Sequence, residues 1–291
     1  MSKIGAALRN PELAALEVYR VYQRQVQNRG ISIPDADWDT LVILDACRYD
    51  IFEQRCSIDG TLSKVISKGS HTSEFLAENF GDESFPEMVY VSATPQLRAH
   101  ELEGNFHAVV PVWEDGWDES LSTVPPAAMA EATQRAHEEY PDKRIISHFL
   151  QPHYPFIGDK GREIDHGTVT GDGVREQKGD VASVWDLLEA GELSTERVRE
   201  AYVENLELVL PEVEAMTGTI DGKVVVTSDH GNVFGRWGIY GHPPGMYLAG
   251  LVEVPWLELP FDHRRDVVAE RTTTAEPSSD VTKQLQDLGY K

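Results

Sequence analysis

The chain has 291 residues, 41% of them hydrophobic, and its 49 acidic and 26 basic side chains give a formal net charge of −23 at pH 7. This size and apolar content predict one α/β domain over residues 1–291, and the acidity excludes nucleic acid and anionic lipid surfaces as partners. No run approaches 18 apolar residues and the N-terminus lacks a signal-peptide pattern, so we expect no membrane span and a cytoplasmic location.

The first half of the chain alternates apolar runs with amphipathic segments. Residues 11–29 carry apolar side chains at helical spacing before Gly30, which predicts an N-terminal helix. The run TLVILDA at 40–46 predicts a strand buried on both faces. Further strands are predicted at 59–67, 87–93 and 105–112, and a helix at 73–80.

The second half continues this alternation. A helix is predicted at 125–140, where Pro occupies the start, and a buried strand follows at 143–150. Residues 158–180 are rich in Gly, Asp and charge, which predicts a long loop. Helices are predicted at 181–190, 194–216 and 277–288, a strand at 223–228, and the last core element at 248–259. Strands that alternate with helices predict a mainly parallel central sheet with helices on both faces.

Polar residues follow three of the predicted buried strands. Asp45 ends the run at 40–46, His153 follows the strand at 143–150, and Asp229 and His230 follow VVVTS. Because ligands of parallel sheets gather beyond the carboxyl ends of the strands, we expect these side chains to share one edge of the sheet.

Asp45, Asp229 and His230 favour a divalent metal site. Asp45 could instead cap a helix, and Asp229 and His230 could be turn residues before Gly231. However, a carboxylate beside an imidazole is a typical ligand pair, and crowded buried carboxylates repel each other unless a cation lies between them. A cation would also give this acidic chain a local positive charge for an anionic substrate. The acidity itself predicts a halophilic origin, since high salt screens the repulsion.

Thr72 lies at the start of the helix predicted at 73–80. The simpler interpretation is an ordinary N-cap. A helix N-terminus also attracts anions, and a metal-bound hydroxyl there has a lowered pKa and can act as a nucleophile. Ser70 and Ser73 are competing hydroxyls, and spacing alone does not separate the three.

Four segments carry a specific combination of motifs. VILDACRYD contains Asp45, Arg48 and Asp50, and GSHTSEF contains Thr72. HFLQPHYPF ends in a Pro-His-x-Pro pattern, and VVVTSDHG is followed by YGHPPG. Their order and positions, over about residues 40 to 260, resemble the sulfatase-like branch of the alkaline phosphatase superfamily. The resemblance implies an alkaline phosphatase-like α/β/α sandwich.

The resemblance also implies roles for individual residues. A single divalent metal would be held by Asp45, Thr72, Asp229 and His230. Thr72 would be the nucleophile, and His153 and His242 would stabilise charge or protonate the leaving oxygen. Arg48 would bind a phosphate bidentately, or else pair with Asp50 as a structural bridge. His148, within a strand, is interpreted as a core histidine.

Two departures from the family narrow the chemistry. Sulfatases form formylglycine from the Cys or Ser of a Cys/Ser-x-Pro/Ala-x-Arg sequence. Neither Cys47 nor Cys56 lies in such a sequence. We expect both to be reduced thiols and Cys47 to be a small buried residue. Two-metal members of the superfamily carry an Asp four residues before the histidine that corresponds to His153, and this chain has Phe149 at that position. Many sulfatases carry a second Asp directly after the first, and this chain has Ala46 there. We therefore expect one metal, as in the phosphoglycol and phosphoethanolamine transferases of the superfamily.

The sequence thus predicts a metal-dependent hydrolase or transferase that acts on phosphate monoesters or diesters through Thr72. Zn or Mn suits the ligands, and Ca or Mg is compatible. Two alternatives stay open: a sulfate-ester hydrolase that uses Thr72 directly, and an inactive binding protein that retains the fold. The expected partner is a small-molecule, glycan or lipid-headgroup phosphate or sulfate ester.

Overall fold

The structure is a computed structural model that describes Val18, Tyr19, Tyr22 and residues 30–164 and 183–269. Val18, Tyr19 and Tyr22 are helical. The rest of the predicted helix 11–29, most of the predicted loop and the predicted helix 277–288 lie outside the described residues.

The predicted strands occur, and all except the last have both ends within two residues of the expected positions. They are β1 (Thr40–Leu44), β2 (Thr61–Ile66), β3 (Phe85–Ser92), β4 (Phe106–Pro111), β5 (Arg144–Phe149), β6 (Val224–Thr227) and β9 (Glu253–Glu258). A hairpin of β7 (Val233–Arg236) and β8 (Ile239–Gly241) was not predicted, because strands of three and four residues are too short for a visible alternation.

Helices connect most of these strands. They are α1 (Tyr49–Arg55), α2 (Thr72–Phe80), α3 (Gln96–Ala99), α4 (Val112–Asp115), α5 (Pro126–Glu139), α6 (Asp159–Arg162), α7 (Val184–Glu189), α8 (Thr195–Thr217) and α9 (Ala249–Val252), with a 3₁₀ turn at Glu103–Asn105. The predicted helices at 73–80, 125–140, 181–190 and 194–216 correspond to α2, α5, α7 and α8. The segment at 248–259, predicted as one core element, is divided between α9 and β9.

The main sheet has seven strands in the order β2–β9–β6–β1–β5–β3–β4. β6, β1, β5, β3 and β4 pair in parallel, and β9 runs antiparallel to both of its neighbours. In the central strands Ile43 lies opposite both His148 and Thr227. The prediction of a mainly parallel sheet is confirmed.

Alternate residues of β1 enter two different hydrophobic clusters. Val42 and Leu44 join a cluster that includes residues of α1, α5 and α8, whereas Leu41 and Ile43 join a cluster that includes residues of α2. All four are fully buried, and each burial stabilises the fold by about 1.5–3 kcal/mol. Helices therefore cover both faces of the sheet, as expected for a strand in which four consecutive residues are apolar.

The carboxyl ends of β6, β1 and β5 lie side by side and form what we call the carboxyl edge. The pairing of β1 with β5 extends beyond the strands, because the amide of Asp45 donates to the carbonyl of Phe149 at 3.1 Å. The amide of His153 donates to the carbonyl of Asp45 at 3.2 Å. Segments more than 100 residues apart are thus held together at this edge.

Candidate active site and metal centre

Asp45, Asp229 and His230 each bring one ligand atom to a common point at the carboxyl edge, with these atoms within 4.8 Å of one another. Nε2 of His230 lies 3.6 Å from Oδ1 of Asp45 and 3.3 Å from Oδ2 of Asp229. All three side chains are fully buried. The structure therefore brings together three of the four ligands expected from the sequence.

Thr72 brings its hydroxyl to the same point. Its Oγ1 lies 3.1 Å from Nε2 of His230, and Nδ1 of this ring lies 2.7 Å from the carbonyl oxygen of Gly231. A carbonyl can only accept, so we assign the ring proton to Nδ1. The lone pair on Nε2 then faces Thr72 and the two carboxylates, which is the orientation that a metal-binding imidazole needs.

The contacts at the start of α2 distinguish Thr72 from an ordinary N-cap and from the competing hydroxyls of Ser70 and Ser73. His71, not Thr72, is the N-cap, and its Nδ1 accepts from the amide of Ser73 at 3.2 Å. Oγ of Ser70 donates to Glu74 at 2.7 Å, and Oγ of Ser73 lies 2.9 Å from Nε2 of His100. Of the three hydroxyls, only that of Thr72 faces the Asp and His ligands.

Asp229 is fixed by the backbone around it. Its Oδ1 accepts from the amides of Ala46 at 3.0 Å and His230 at 2.8 Å. Ala46 has a left-handed φ of 58°, a strained conformation for a residue other than glycine. Burial alone would raise the pKa of Asp229, but His230, His148 and the amide of Ala46 outweigh it and lower this pKa. The carboxylate is therefore charged at neutral pH.

The donor set fits a divalent cation. Oδ2 of Asp229 is buried and receives no hydrogen bond from the described residues, although a charged oxygen in such a place needs compensation. Two carboxylates, one imidazole and one hydroxyl are ligands that Zn, Mn, Mg or Ca accepts. Among the described residues, this is the group of acidic and histidine side chains whose geometry suits a metal.

His153 and His242 meet beside this group. Their Nε2 atoms lie 2.8 Å apart, and the ring of His242 is centred 4.6 Å from that of His230. Nδ1 of His153 donates to the carbonyl of Tyr154, so Nε2 of His153 accepts and Nε2 of His242 donates. Burial lowers the pKa of His153 to about 4 and that of His242 well below its usual value. The pair is therefore neutral and holds one shared proton.

Arg48 lies at the rim of the site with its guanidinium engaged inside the chain. Nε and Nη2 form a bidentate pair with Asp50 at 2.8 and 2.7 Å, and Nη1 donates to the carbonyl of Asn232 at 2.8 Å. Of the two roles left open by the sequence, these contacts are those of the structural bridge.

His148 is a buried core histidine, as interpreted from the sequence, but one of its ring nitrogens has no hydrogen-bond partner among the described residues. Its Nδ1 lies 2.7 Å from the hydroxyl of Tyr90, as in a satisfied core histidine. Its Nε2, however, is buried without a hydrogen-bond partner among the described residues, 4.0 Å from Oδ2 of Asp45 and 3.9 Å from Oδ2 of Asp229. Burial, with a smaller contribution from these carboxylates, raises the pKa of Tyr90 well above its usual value, so its hydroxyl stays protonated.

Solved structures of other proteins share the fold of this chain. No family model matches the sequence, and no curated protein matches it. Among solved structures, the soluble domain of lipooligosaccharide phosphoethanolamine transferase A from Neisseria meningitidis is 13% identical, with 76% of this chain and 75% of that chain covered and a TM-score of 0.52.

The chain shares the fold of this transferase domain, an alkaline phosphatase-like α/β/α sandwich. The resemblance expected from the motifs is thereby confirmed at the level of the fold. A phosphonate monoester hydrolase from Silicibacter pomeroyi (12% identity, 86% and 73% covered, TM-score 0.45) and a putative sulfatase from Bacteroides thetaiotaomicron (11% identity, 87% and 74% covered, TM-score 0.46) are also similar to it. Within the described part of this sulfatase-like fold, no helix combines the length and the apolar character needed to cross a membrane.

Three residues at the site, His71, Tyr90 and His148, were not predicted from the sequence to have a role there. His71 directly precedes Thr72, and its ring lies parallel to that of His230 with centres 6.0 Å apart. Strand alternation places His148 on the same face of β5 as Ile146, and this face carries the site. Strand alternation could have predicted that His148 faces the site only if the register between β5 and β1 were known, and the sequence does not contain that register.

Proposed function

We propose that the protein is a metal-dependent enzyme that hydrolyses or transfers phosphate esters with Thr72 as its nucleophile. One observation carries the proposal: the hydroxyl of Thr72 and the ligand atoms of Asp45, Asp229 and His230 converge in a buried site at the carboxyl edge. The sulfatase-like fold supports ester chemistry in general, and at 13% identity it does not specify the ester.

A divalent cation in this site would polarise a nonbridging oxygen of the ester and lower the pKa of the Thr72 hydroxyl. After losing its proton to solvent, Oγ1 of Thr72 attacks phosphorus, and the bond from phosphorus to the leaving alcohol breaks. The leaving alkoxide takes up a proton from solvent, and the neutral pair of His153 and His242 stabilises the charge that develops on it. The product of this half-reaction is a phosphothreonine.

In the second half-reaction, water or another alcohol attacks the phosphothreonine. The attacking oxygen gives its proton to solvent, and the bond from phosphorus to Oγ1 of Thr72 breaks. Oγ1 of Thr72 takes up a proton from solvent and is again a hydroxyl, and the pair formed by His153 and His242 stays neutral throughout. The same steps serve hydrolysis and transfer, so the acceptor alone distinguishes the two reactions.

The proposed substrates are small-molecule, glycan or lipid-headgroup phosphate esters. The site offers neutral imidazoles and a place for one cation, which suits a single anionic group. Sulfate esters have the same tetrahedral shape and are the second candidate. The cytoplasmic location, the halophilic origin and the single-domain organisation stay predictions.

Replacement of the nucleophile tests the proposal. We expect Thr72→Ala to lower turnover of aryl phosphates by at least about 1,000-fold, because the covalent step is lost. Zn²⁺ and Mn²⁺ binding, measured by elemental analysis and titration, should stay within about tenfold, because Asp45, Asp229 and His230 remain. Ser73→Ala, which removes the neighbouring hydroxyl, is the matched control and should retain activity.

A panel of aryl phosphate, phosphodiester and sulfate esters separates the alternatives. Faster turnover of the sulfate ester would favour a sulfate-ester hydrolase that uses Thr72 directly. Tight metal binding without turnover of any ester would favour an inactive binding protein. Full activity in the Thr72→Ala variant would refute the nucleophile assignment.

A further inference from the structure

Tyr90 and His148 form a buried pair beneath the proposed metal ligands. Tyr90 is on β3 and His148 on the adjacent β5, and their exposed fractions are 0% and 2%. The hydroxyl of Tyr90 lies 2.7 Å from Nδ1 of His148, and the opposite ring nitrogen, Nε2, lies 4.0 Å from Asp45 and 3.9 Å from Asp229. One imidazole thus faces the two carboxylates at almost equal distances.

The charges around this ring decide where its proton lies. A lone pair on Nε2 would face two carboxylate oxygens in a dry environment, which is unfavourable. A proton on Nε2 faces them favourably, and it leaves Nδ1 free to accept from the Tyr90 hydroxyl. The Nε2–H tautomer therefore satisfies both ends of the ring.

His148 does not belong to the group of ligand atoms that lie within 4.8 Å of one another. Its distances of 3.9 and 4.0 Å also exceed those of a direct hydrogen bond. The ring therefore acts on the carboxylates through the dipole of its N–H group. Residues behind metal ligands act in this way when they fix the orientation of those ligands.

We propose that His148, held in its Nε2–H tautomer by Tyr90, is a positioning residue that keeps the carboxylates of Asp45 and Asp229 directed at the metal. This inference rests on the metal site of the proposed function. It assigns to Tyr90 and His148 the task of reducing the repulsion between two buried carboxylates before a cation arrives, so that the site is preorganised.

Metal affinity tests the proposal without any assay of activity. We expect His148→Phe to weaken Zn²⁺ binding about 10- to 100-fold in competition with a chelating dye, the range usual for loss of a group behind metal ligands. His148→Gln keeps an acceptor for Tyr90 and an N–H for the carboxylates, so it should lose less. Ser147→Ala, on the same strand but hydrogen-bonded to Thr133 on the other face, is the matched control and should bind like the wild type.

The outcomes for the two proposals are distinct. A wild-type protein that binds neither Zn²⁺ nor Mn²⁺ would overturn the proposed metal site. Metal binding by the wild type together with equal binding by folded His148→Phe would overturn only the positioning role. Circular dichroism and thermal unfolding of each variant establish that it is folded, and a misfolded His148→Phe leaves the decision to the tautomer measurement.

The tautomer of His148 is measurable in the metal-free protein by long-range proton–nitrogen NMR correlation. We expect the Nε2–H form in the wild type and an increased Nδ1–H population in Tyr90→Phe, which removes one hydroxyl. We also expect Tyr90→Phe to weaken Zn²⁺ binding by about three- to tenfold, less than His148→Phe. An Nδ1–H tautomer in the wild type would overturn the proposal whatever the metal affinity.

Discussion

Three histidines of the candidate site contact the surrounding protein through Nδ1, but they differ in whether this nitrogen donates or accepts the hydrogen bond. His230 and His153 donate through Nδ1 to backbone carbonyls, so each turns a lone pair on Nε2 towards the site. His148 has the hydroxyl of Tyr90 at Nδ1 instead. The group at Nδ1 therefore decides whether Nε2 turns a lone pair or a proton towards the site.

His137 lies at the amino end of β1, opposite the carboxyl edge, and it allows a test of how burial changes the pKa of a histidine. His137 on α5 lines a cavity of about 570 Å³, and its Nε2 lies 3.0 Å from Oγ1 of Thr40. Its Nδ1 accepts from Arg265. Burial, and secondarily Arg265, lower the pKa of His137 to about 3, so the folded protein keeps this ring neutral.

The acid dependence of stability follows from the pKa of His137. Below about pH 6.5 the unfolded chain binds a proton that the folded protein does not bind until about pH 3, so the free energy of unfolding falls as pH falls. Between pH 7 and pH 5 this one residue should remove about 2 kcal/mol. We expect the stability difference between wild type and His137→Asn, measured by urea unfolding of metal-free protein, to shrink by that amount.

The control for this measurement is Gln134→Ala. Gln134 lies on the same helix as His137 and lines the same cavity, but its side chain does not titrate. Its stability difference from the wild type should be independent of pH. A constant difference for His137→Asn as well would mean that the folded protein accepts the proton normally.

At the scale of elements, α8 fixes the segment that carries His153. Asn205 on this helix is fully buried, and its Nδ2 donates to the carbonyls of His153 at 3.1 Å and Pro155 at 2.9 Å. Its Oδ1 accepts from the amide of Ile157 at 2.8 Å. The segment beyond β5 is no longer hydrogen-bonded as a strand, and the Asn205 side chain satisfies three of its backbone groups instead.

We expect Asn205→Leu to destabilise the protein by about 3 kcal/mol, because it leaves buried carbonyls and an amide unpaired at similar side-chain volume. It should also reduce turnover at least about tenfold, because His153 loses its support. Chemical unfolding and steady-state kinetics measure the two effects. Leu208→Gln, at a 41% exposed position of the same helix, should change neither, and wild-type kinetics in Asn205→Leu would show that α8 does not position His153.

At the scale of the whole molecule, a metal bound only by the folded state should raise its stability. The ligands come from β1, α2 and the residues after β6, so the unfolded chain cannot assemble them. At a free metal concentration 100 times the dissociation constant, the gain is about 2.7 kcal/mol. For a protein of this size that corresponds to a rise in Tm of about 5–10 °C.

Thermal unfolding in excess EDTA and in excess Zn²⁺ or Mn²⁺ measures this gain. Asp229→Asn, which removes one ligand charge, should lose most of the rise. An equal rise in the Asp229→Asn variant would place the stabilising ion elsewhere on this acidic chain.

The sequence by itself determined most strands of the central sheet, its mainly parallel character and the edge at which the candidate site lies. Runs such as TLVIL are buried on both faces, so they predict central strands, and a polar residue directly after such a run must lie at the end of a strand. These signals are local, because backbone periodicity and burial are properties of a few consecutive residues. Asp45 and the pair Asp229 and His230 were found in this way.

Only the tertiary structure decided which atoms face one another. The amide of Ala46 reaches Asp229 across 183 residues of chain, and the hydroxyl of Tyr90 reaches His148 across 58. Such contacts depend on strand register and on the path of distant segments, which no local pattern encodes. For the same reason the choice between the two roles of Arg48, the capping role of His71 and the direction of His148 became visible only in the folded chain.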